Sequence, residues 1–191
     1  MTVRAALTYQ DYVTLPDDRK RYEIHDGELC VTAAPAPLHQ IVSVNLEQIL
    51  CGHVNVRELG LVLHAPLDVI LSDSPSETTI VQPDIIFLDR GQRGLISPRA
   101  IEGPPTLVIE ILSPSTATID RVRKRALYAR HGIPYYWLVD VDARDIEACV
   151  PRAGAYVVVA RVSGTTPVDL PPFVGLALVP ASLWPEFPIR P

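Results

Sequence analysis

Two carboxylates stand inside neighbouring apolar runs: Asp84 in Val81-Gln82-Pro83-Asp84-Ile85-Ile86-Phe87-Leu88, and Glu110 in Leu107-Val108-Ile109-Glu110-Ile111-Leu112-Ser113-Pro114. Both runs read as buried strands, where an unpaired charge is strongly penalised. Set side by side on adjacent strands, the two groups repel unless a cation lies between them. An arginine would make them a structural ion pair. A hard divalent ion such as Mg²⁺ would suit an all-oxygen site. The residues alone leave both readings open.

A second charged pair follows. Asp120 and Lys124 are spaced i, i+4 and share one helix face with Leu127 and His131. Such a pair on an exposed face contributes only a few tenths of a kcal/mol. Placed over the end of the Glu110 strand, the ammonium would instead position water or stabilise charge on a phosphate. His39 reads first as a structural or capping histidine, and His25, His53 and His64 have no companion at ligand spacing. Ser113 and Ser115, flanking Pro114, read as helix caps rather than nucleophiles. The cysteines Cys30, Cys51 and Cys149 are odd in number and widely spaced, which indicates neither a disulfide framework nor a zinc site. Nucleophile-elbow, Walker and dinucleotide fingerprints are absent from the sequence.

The elements that must position these groups are marked by turn residues. Tyr9 to Leu15 reads as a short helix. Tyr22–His25 and Glu28–Val31 flank Asp26-Gly27, a strong hairpin signal. A helix from His39 to Leu59 is apolar on most sides, which suggests burial, in part against a second copy of the chain. Strands are expected over 61–71, 81–88 and 106–112. The helix after Ser113 carries an apolar stripe of Ile119, Val122, Ala126 and Ala129, and Gly132 and Pro134 end it. Tyr135–Val141 is a further strand, parallel to the Glu110 strand because a helix joins them. Ile146–Val150 and Tyr156–Ala160 form a closing hairpin, and a Pro-rich tail ends in a short helix near 181–184. The expected fold is α/β (α+β), a mixed sheet flanked by helices with an N-terminal β-hairpin.

At 191 residues the chain has the length of one domain, taken as 1–191, and 48% hydrophobic residues exclude disorder over most of it. No apolar stretch is long enough to span a bilayer and no leader peptide is evident, so the cytoplasm is expected. Seventeen basic against 22 acidic residues give a net charge of −5, which argues against a wholly basic nucleic-acid surface. It leaves room for a local positive cleft, and Arg121, Arg123, Lys124, Arg125 and Arg130 are indeed crowded together.

Taken in order, several motifs resemble one family. They are Tyr22-Glu23-Ile24-His25-Asp26-Gly27-Glu28-Leu29, His39, Val81-Gln82-Pro83-Asp84, Val108 to Thr116, Ala126-Leu127-Tyr128-Ala129, Gly132-Ile133-Pro134 and Tyr136-Trp137-Leu138-Val139-Asp140. The run is similar to the Uma-two family of restriction endonuclease-like proteins, a branch of the PD-(D/E)XK nucleases, over roughly residues 8–185. The strand lysine usual two residues after the glutamate is Leu112 here. In this branch a helix lysine in an Asp-x₃-Lys pattern replaces it, matched by Asp120 and Lys124. The family often has Glu before Tyr-Trp, where this chain has Tyr135. The resemblance implies a Mg²⁺- or Mn²⁺-dependent endonuclease acting on DNA, with homodimers expected. Asp84, Glu110 and the Ile111 carbonyl would hold the metal, which activates water and neutralises the scissile phosphate. Lys124 would orient the nucleophile, and Glu23 would complete the site by binding a second metal or polarising water. The alternative is a catalytically silent nucleic-acid-binding or homo-oligomeric interaction module with the same fold.

Overall fold

The computed structural model describes residues 6–187 apart from Arg19, Ala33, Ser76 and Ser115, so the capping role expected of Ser115 lies outside the described residues. Helix α1 (Tyr9–Tyr12) opens on a capping box between Thr8 and Asp11. Strands β1 (Arg21–His25) and β2 (Glu28–Thr32) form the expected hairpin. Its turn residues Asp26 and Gly27 have φ of 54° and 78°, the left-handed backbone a two-residue hairpin needs.

Helix α2 (Pro37–Val56) starts on a proline, whose missing N–H costs nothing in the first turn. Here the structure corrects the expectation of a helix buried on most sides. One row, Val42, Leu46, Leu50 and Val54, is fully buried, while Val44 and Val56 are exposed. Each buried aliphatic side chain stabilises by about 1.5–3 kcal/mol, so this row suffices to dock the helix.

Two of the expected strands prove to be pairs. The run over 61–71 divides into β3 (Gly60–His64) and β4 (Val69–Ser72). The run over 81–88 divides into β5 (Thr79–Val81) and β6 (Ile85–Asp89). Pro66 and Pro83 sit at the two breaks, and proline cannot donate to a sheet ladder. Then come β7 (Ile101–Glu102), β8 (Leu107–Leu112), a π-helical turn (Ile119–Lys124), α3 (Arg125–Arg130) and β9 (Tyr135–Asp140). The hairpin β10 (Asp145–Arg152) and β11 (Ala155–Val162) follows. A second hairpin, β12 (Val168–Leu170) and β13 (Phe173–Leu178), precedes a 3₁₀ turn over Pro180–Leu183.

Among the described residues, β11-β10-β9-β8-β6-β3 make one mixed sheet and β2-β1-β5-β4-β7 a second. Strands β8 and β9 run parallel, as their helical connection requires, whereas β6 and β8 are antiparallel. Alternation along β8 fixes what each residue meets. Leu107, Ile109 and Ile111 join the core under α2, with Trp137, Phe173 and Trp184. Val108 and Leu112 face the opposite way, towards Leu127 and Tyr128 of α3. Glu110 shares that second face. The chain crosses from the second sheet to the first at Gln82-Pro83-Asp84, and this crossover brings β1 to the end of β8.

Candidate active site

In the antiparallel β6–β8 ladder Ile85 pairs with Ile109. Continuing that register puts Asp84 opposite Glu110, on one face of the sheet. Both carboxylates are nearly solvent-free and both line a cleft of about 240 Å³, together with Arg21, His39, Asp120 and Lys124. Across that face lies the π-helical turn. Its i→i+5 bond, from the Arg125 N–H to the Asp120 carbonyl, sets side chains four apart almost above one another. Tyr136 of β9 donates its hydroxyl to the same Asp120 carbonyl, pinning the turn to the sheet.

The helix face expected to be apolar is not the buried one. Val122 and Ala126 are exposed, while Asp120, Lys124, Leu127 and Tyr128 point inward. An exposed Asp120–Lys124 pair is thereby excluded. The Lys124 ammonium donates to Glu23 Oε1 at 2.9 Å and to Glu110 Oε1 at 3.0 Å, with Asp120 Oδ1 at 3.8 Å. Three carboxylates around one ammonium outweigh the cost of burying it and hold it protonated.

Glu23 stands behind the lysine and is not part of the cleft wall. Its Oε1 accepts the Gln82 N–H at 2.7 Å, and its Oε2 lies 3.0 Å from His25 Nε2. The other His25 nitrogen is 3.3 Å from Cys30 Sγ. Burial opposes ionisation of Glu23, but Lys124 and His25 overcome it and drive its pKa down. Glu23 therefore sits where it can aim the lysine.

Asp84 is held from three sides. Arg21 donates to Oδ1 at 3.0 Å, and the Ile111 N–H donates to Oδ2 at 2.8 Å. His39 Nε2 lies 3.1 Å from the same Oδ2. Against the cost of burial, His39 and the Arg21 charge keep the Asp84 pKa low. Glu110 differs. Its hydrogen bonds among the described residues, from Lys124 and Tyr128 (2.6 Å), fall on Oε1. Burial, only partly offset by Lys124 and reinforced by Asp120, Asp84 and Glu23, pushes its pKa up to about 8. Asp120 is raised by burial too.

No group of three or more His, Cys, Asp or Glu side chains among the described residues has the spacing of a ready-made metal cage. Arg21 and Lys124 stand among the carboxylates instead. The donors that can take a cation are the carboxylates of Asp84 and Glu110 and the Ile111 carbonyl. Asp84 is held ionised, and Glu110, which keeps its proton up to about pH 8, would release it on taking a cation, as metal ligands do. An all-oxygen donor set of this kind fits a hard divalent ion.

These shifts set an expected pH dependence. The pKa of Glu110 rises from 4.5 to about 8, and that of His25 from 6.5 to about 9. For His25, burial is outweighed by Cys30 and Glu23. Both groups hold a proton more firmly folded than unfolded, so their contribution is complete below the unfolded pKa and is lost as pH rises through the folded one. Glu23 and Asp84 act with the opposite sign, but only below their ordinary values of 4.5 and 3.8. The cation-free protein is thus expected to lose stability between about pH 5 and 9, read from urea midpoints. A midpoint that rises over this range would contradict the assignment.

A family model described as "Putative restriction endonuclease", Uma2, matches residues 9–181. The chain belongs to the Uma2 family. An uncharacterized protein of Synechocystis sp. is 28% identical over 136 residues, 68% of this chain, and the chain spans 65% of that relative's length. A crystal structure described as "a putative nuclease belonging to DUF820", from Anabaena variabilis, is similar with a TM-score of 0.70. It is 18% identical and covers 93% of this chain and 97% of its own, a likeness of fold. Among the described residues of the Uma2 chain, no helix is long and apolar enough to cross a membrane.

Glu23, Asp84, Glu110 and Lys124 thus meet at one locus, together with the Ile111 backbone. Sequence reasoning assigns no site role to Arg21 or Tyr128. Tyr128 stands within the Ala126-Leu127-Tyr128-Ala129 motif. Arg21 carries no such signal, because nothing local couples it to Asp84, 63 residues away. Tyr135, where the family often has Glu, starts β9 half-buried against the α2 core and is absent from the cleft lining.

Proposed function

We propose that this chain is a Mg²⁺- or Mn²⁺-dependent endonuclease that hydrolyses phosphodiester bonds in DNA, working in the cytoplasm as a homodimer. One observation carries the reading. Asp84 and Glu110 face each other on one side of the sheet, line a common cleft, and have Lys124 above them. Asp84, Glu110 and the Ile111 carbonyl would hold the metal, which would supply charge to stabilise the phosphoryl oxygens and to activate water.

The protein's own groups supply the rest. Lys124, an ammonium at the cleft wall, orients the attacking water and offsets charge growing on the phosphate. Glu23 fixes that ammonium from behind, and Tyr128 fixes the orientation of Glu110 by a hydrogen bond to Oε1. Uma2 family membership supports the nuclease class. The test is nicking of supercoiled plasmid by wild type with Mg²⁺, Mn²⁺ or EDTA. Cleavage that needs the divalent ion is expected. DNA retention with no cleavage under any cation would favour the silent binding module instead.

A further inference from the structure

The cleft over Asp84 continues into a second one of about 530 Å³ that reaches Lys20, Gln40 and His64. The two share Arg21, His39 and Asp84 in their walls, so Arg21 stands where they meet. Its side chain is about one-fifth exposed, and its guanidinium donates to Asp84 Oδ1. Among the described residues that is the hydrogen bond it makes, and the guanidinium fork has five N–H donors. Arg21 lines both clefts. Burial disfavours the Arg21 charge, yet Asp84 and then Glu110 sustain it.

We infer that Arg21 is the resident counter-ion of Asp84, displaced when a divalent cation binds, and that the freed fork then grips a backbone phosphate of the nucleic-acid strand lying along the joined clefts. Three facts lead there. Buried Asp84 is kept ionised by its neighbours, and of these Arg21 is the permanently charged one, donating to Oδ1 while His39 Nε2 lies on Oδ2. A divalent ion on Asp84 removes the reason for Arg21 to stay. An arginine freed of its carboxylate at the wall of a groove matches a phosphate in charge and in bidentate geometry. The inference rests on the metal-dependent reading above and adds a phosphate-binding residue to it.

Substitution of Arg21 separates this role from a structural one, because a merely structural residue would not improve metal affinity when lost. Mn²⁺ binding is measured by calorimetry without DNA for wild type, Arg21→Gln and Asp84→Asn. Arg21→Gln is expected to bind Mn²⁺ about fivefold more tightly, since the competing charge is gone. A short DNA duplex is then titrated by fluorescence anisotropy, with Ca²⁺ as the hard cation. Arg21→Gln is expected to bind about tenfold more weakly, and its log K against log salt slope should shrink by about 0.9.

Mn²⁺ affinity unchanged or weakened in Arg21→Gln overturns the inference. So does tighter Mn²⁺ with an unaltered DNA affinity and salt slope. Asp84→Asn retaining full Mn²⁺ affinity would instead overturn the metal-site reading. Should Arg21→Gln fail to fold, the wild-type protein still decides. The guanidinium ¹⁵N resonance of Arg21, assigned with Arg21→Lys, should shift on Mg²⁺ titration, and an unmoved resonance sinks the displacement.

Discussion

Lys124→Met is expected to destabilise the cation-free protein by about 3–5 kcal/mol, the range for removing one partner of a buried ion pair. Lys124 is buried, and its ammonium sits against Glu23, Glu110 and Asp120. Methionine fills similar space but leaves three carboxylates in a solvent-poor volume with His25 and Arg21 as the remaining nearby cations. The loss should depend on pH, with a definite sign. Glu110 already favours its protonated form, and without the ammonium its pKa and that of Asp120 rise further. At about pH 5 the variant escapes much of the penalty by keeping those protons. At about pH 8 the unfolded chain is fully ionised while the folded one must either hold protons or suffer repulsion, so the gap widens. Urea unfolding at both pH values measures it. Adding Glu23→Gln should restore part of the loss, because one buried negative charge then disappears. A variant as stable as wild type at pH 8 would mean that Lys124 is not the ion holding the centre together.

Asp84→Asn is expected to abolish the rise in melting temperature that Mn²⁺ gives wild type, and to reduce plasmid cleavage by at least ~10²-fold, a few kcal/mol of lost metal-centred stabilisation. The change is nearly isosteric. Asn can still accept the Ile111 N–H through its amide oxygen, so the β6–β8 junction should survive. What it lacks is the negative charge a divalent ion requires. Cation-free stability should therefore move far less than in Lys124→Met, and the two variants separate scaffold from cation binding. Cleavage at the wild-type rate in Asp84→Asn would remove this carboxylate from the chemistry.

Local sequence was sufficient wherever the deciding physics was local. Asp26-Gly27 specified a hairpin because few residues tolerate its backbone, and a strand–helix–strand run specified that β8 and β9 lie parallel. Similarity in the order of motifs was enough to single out Glu23, Asp84, Glu110, Ile111 and Lys124. Strand alternation then made one consequence unavoidable: with Glu110 in the middle of β8, any group facing it had to come from the side of Val108 and Leu112.

Tertiary structure decided the rest. An apolar run reads the same whether it is one strand or two, so the crossover at Pro83 appeared only with the second sheet. The inward face of the Lys124 helix is not legible in the sequence because Val122 and Ala126 look like core residues in one dimension. Glu110 and Glu23 make that face polar, and neither is its neighbour in the chain. Arg21 became part of the site for the same reason, through an ion pair spanning 63 residues. The carboxylates and the lysine were written into the sequence. The partner each one keeps depends on distances across two sheets, and no local pattern encodes those.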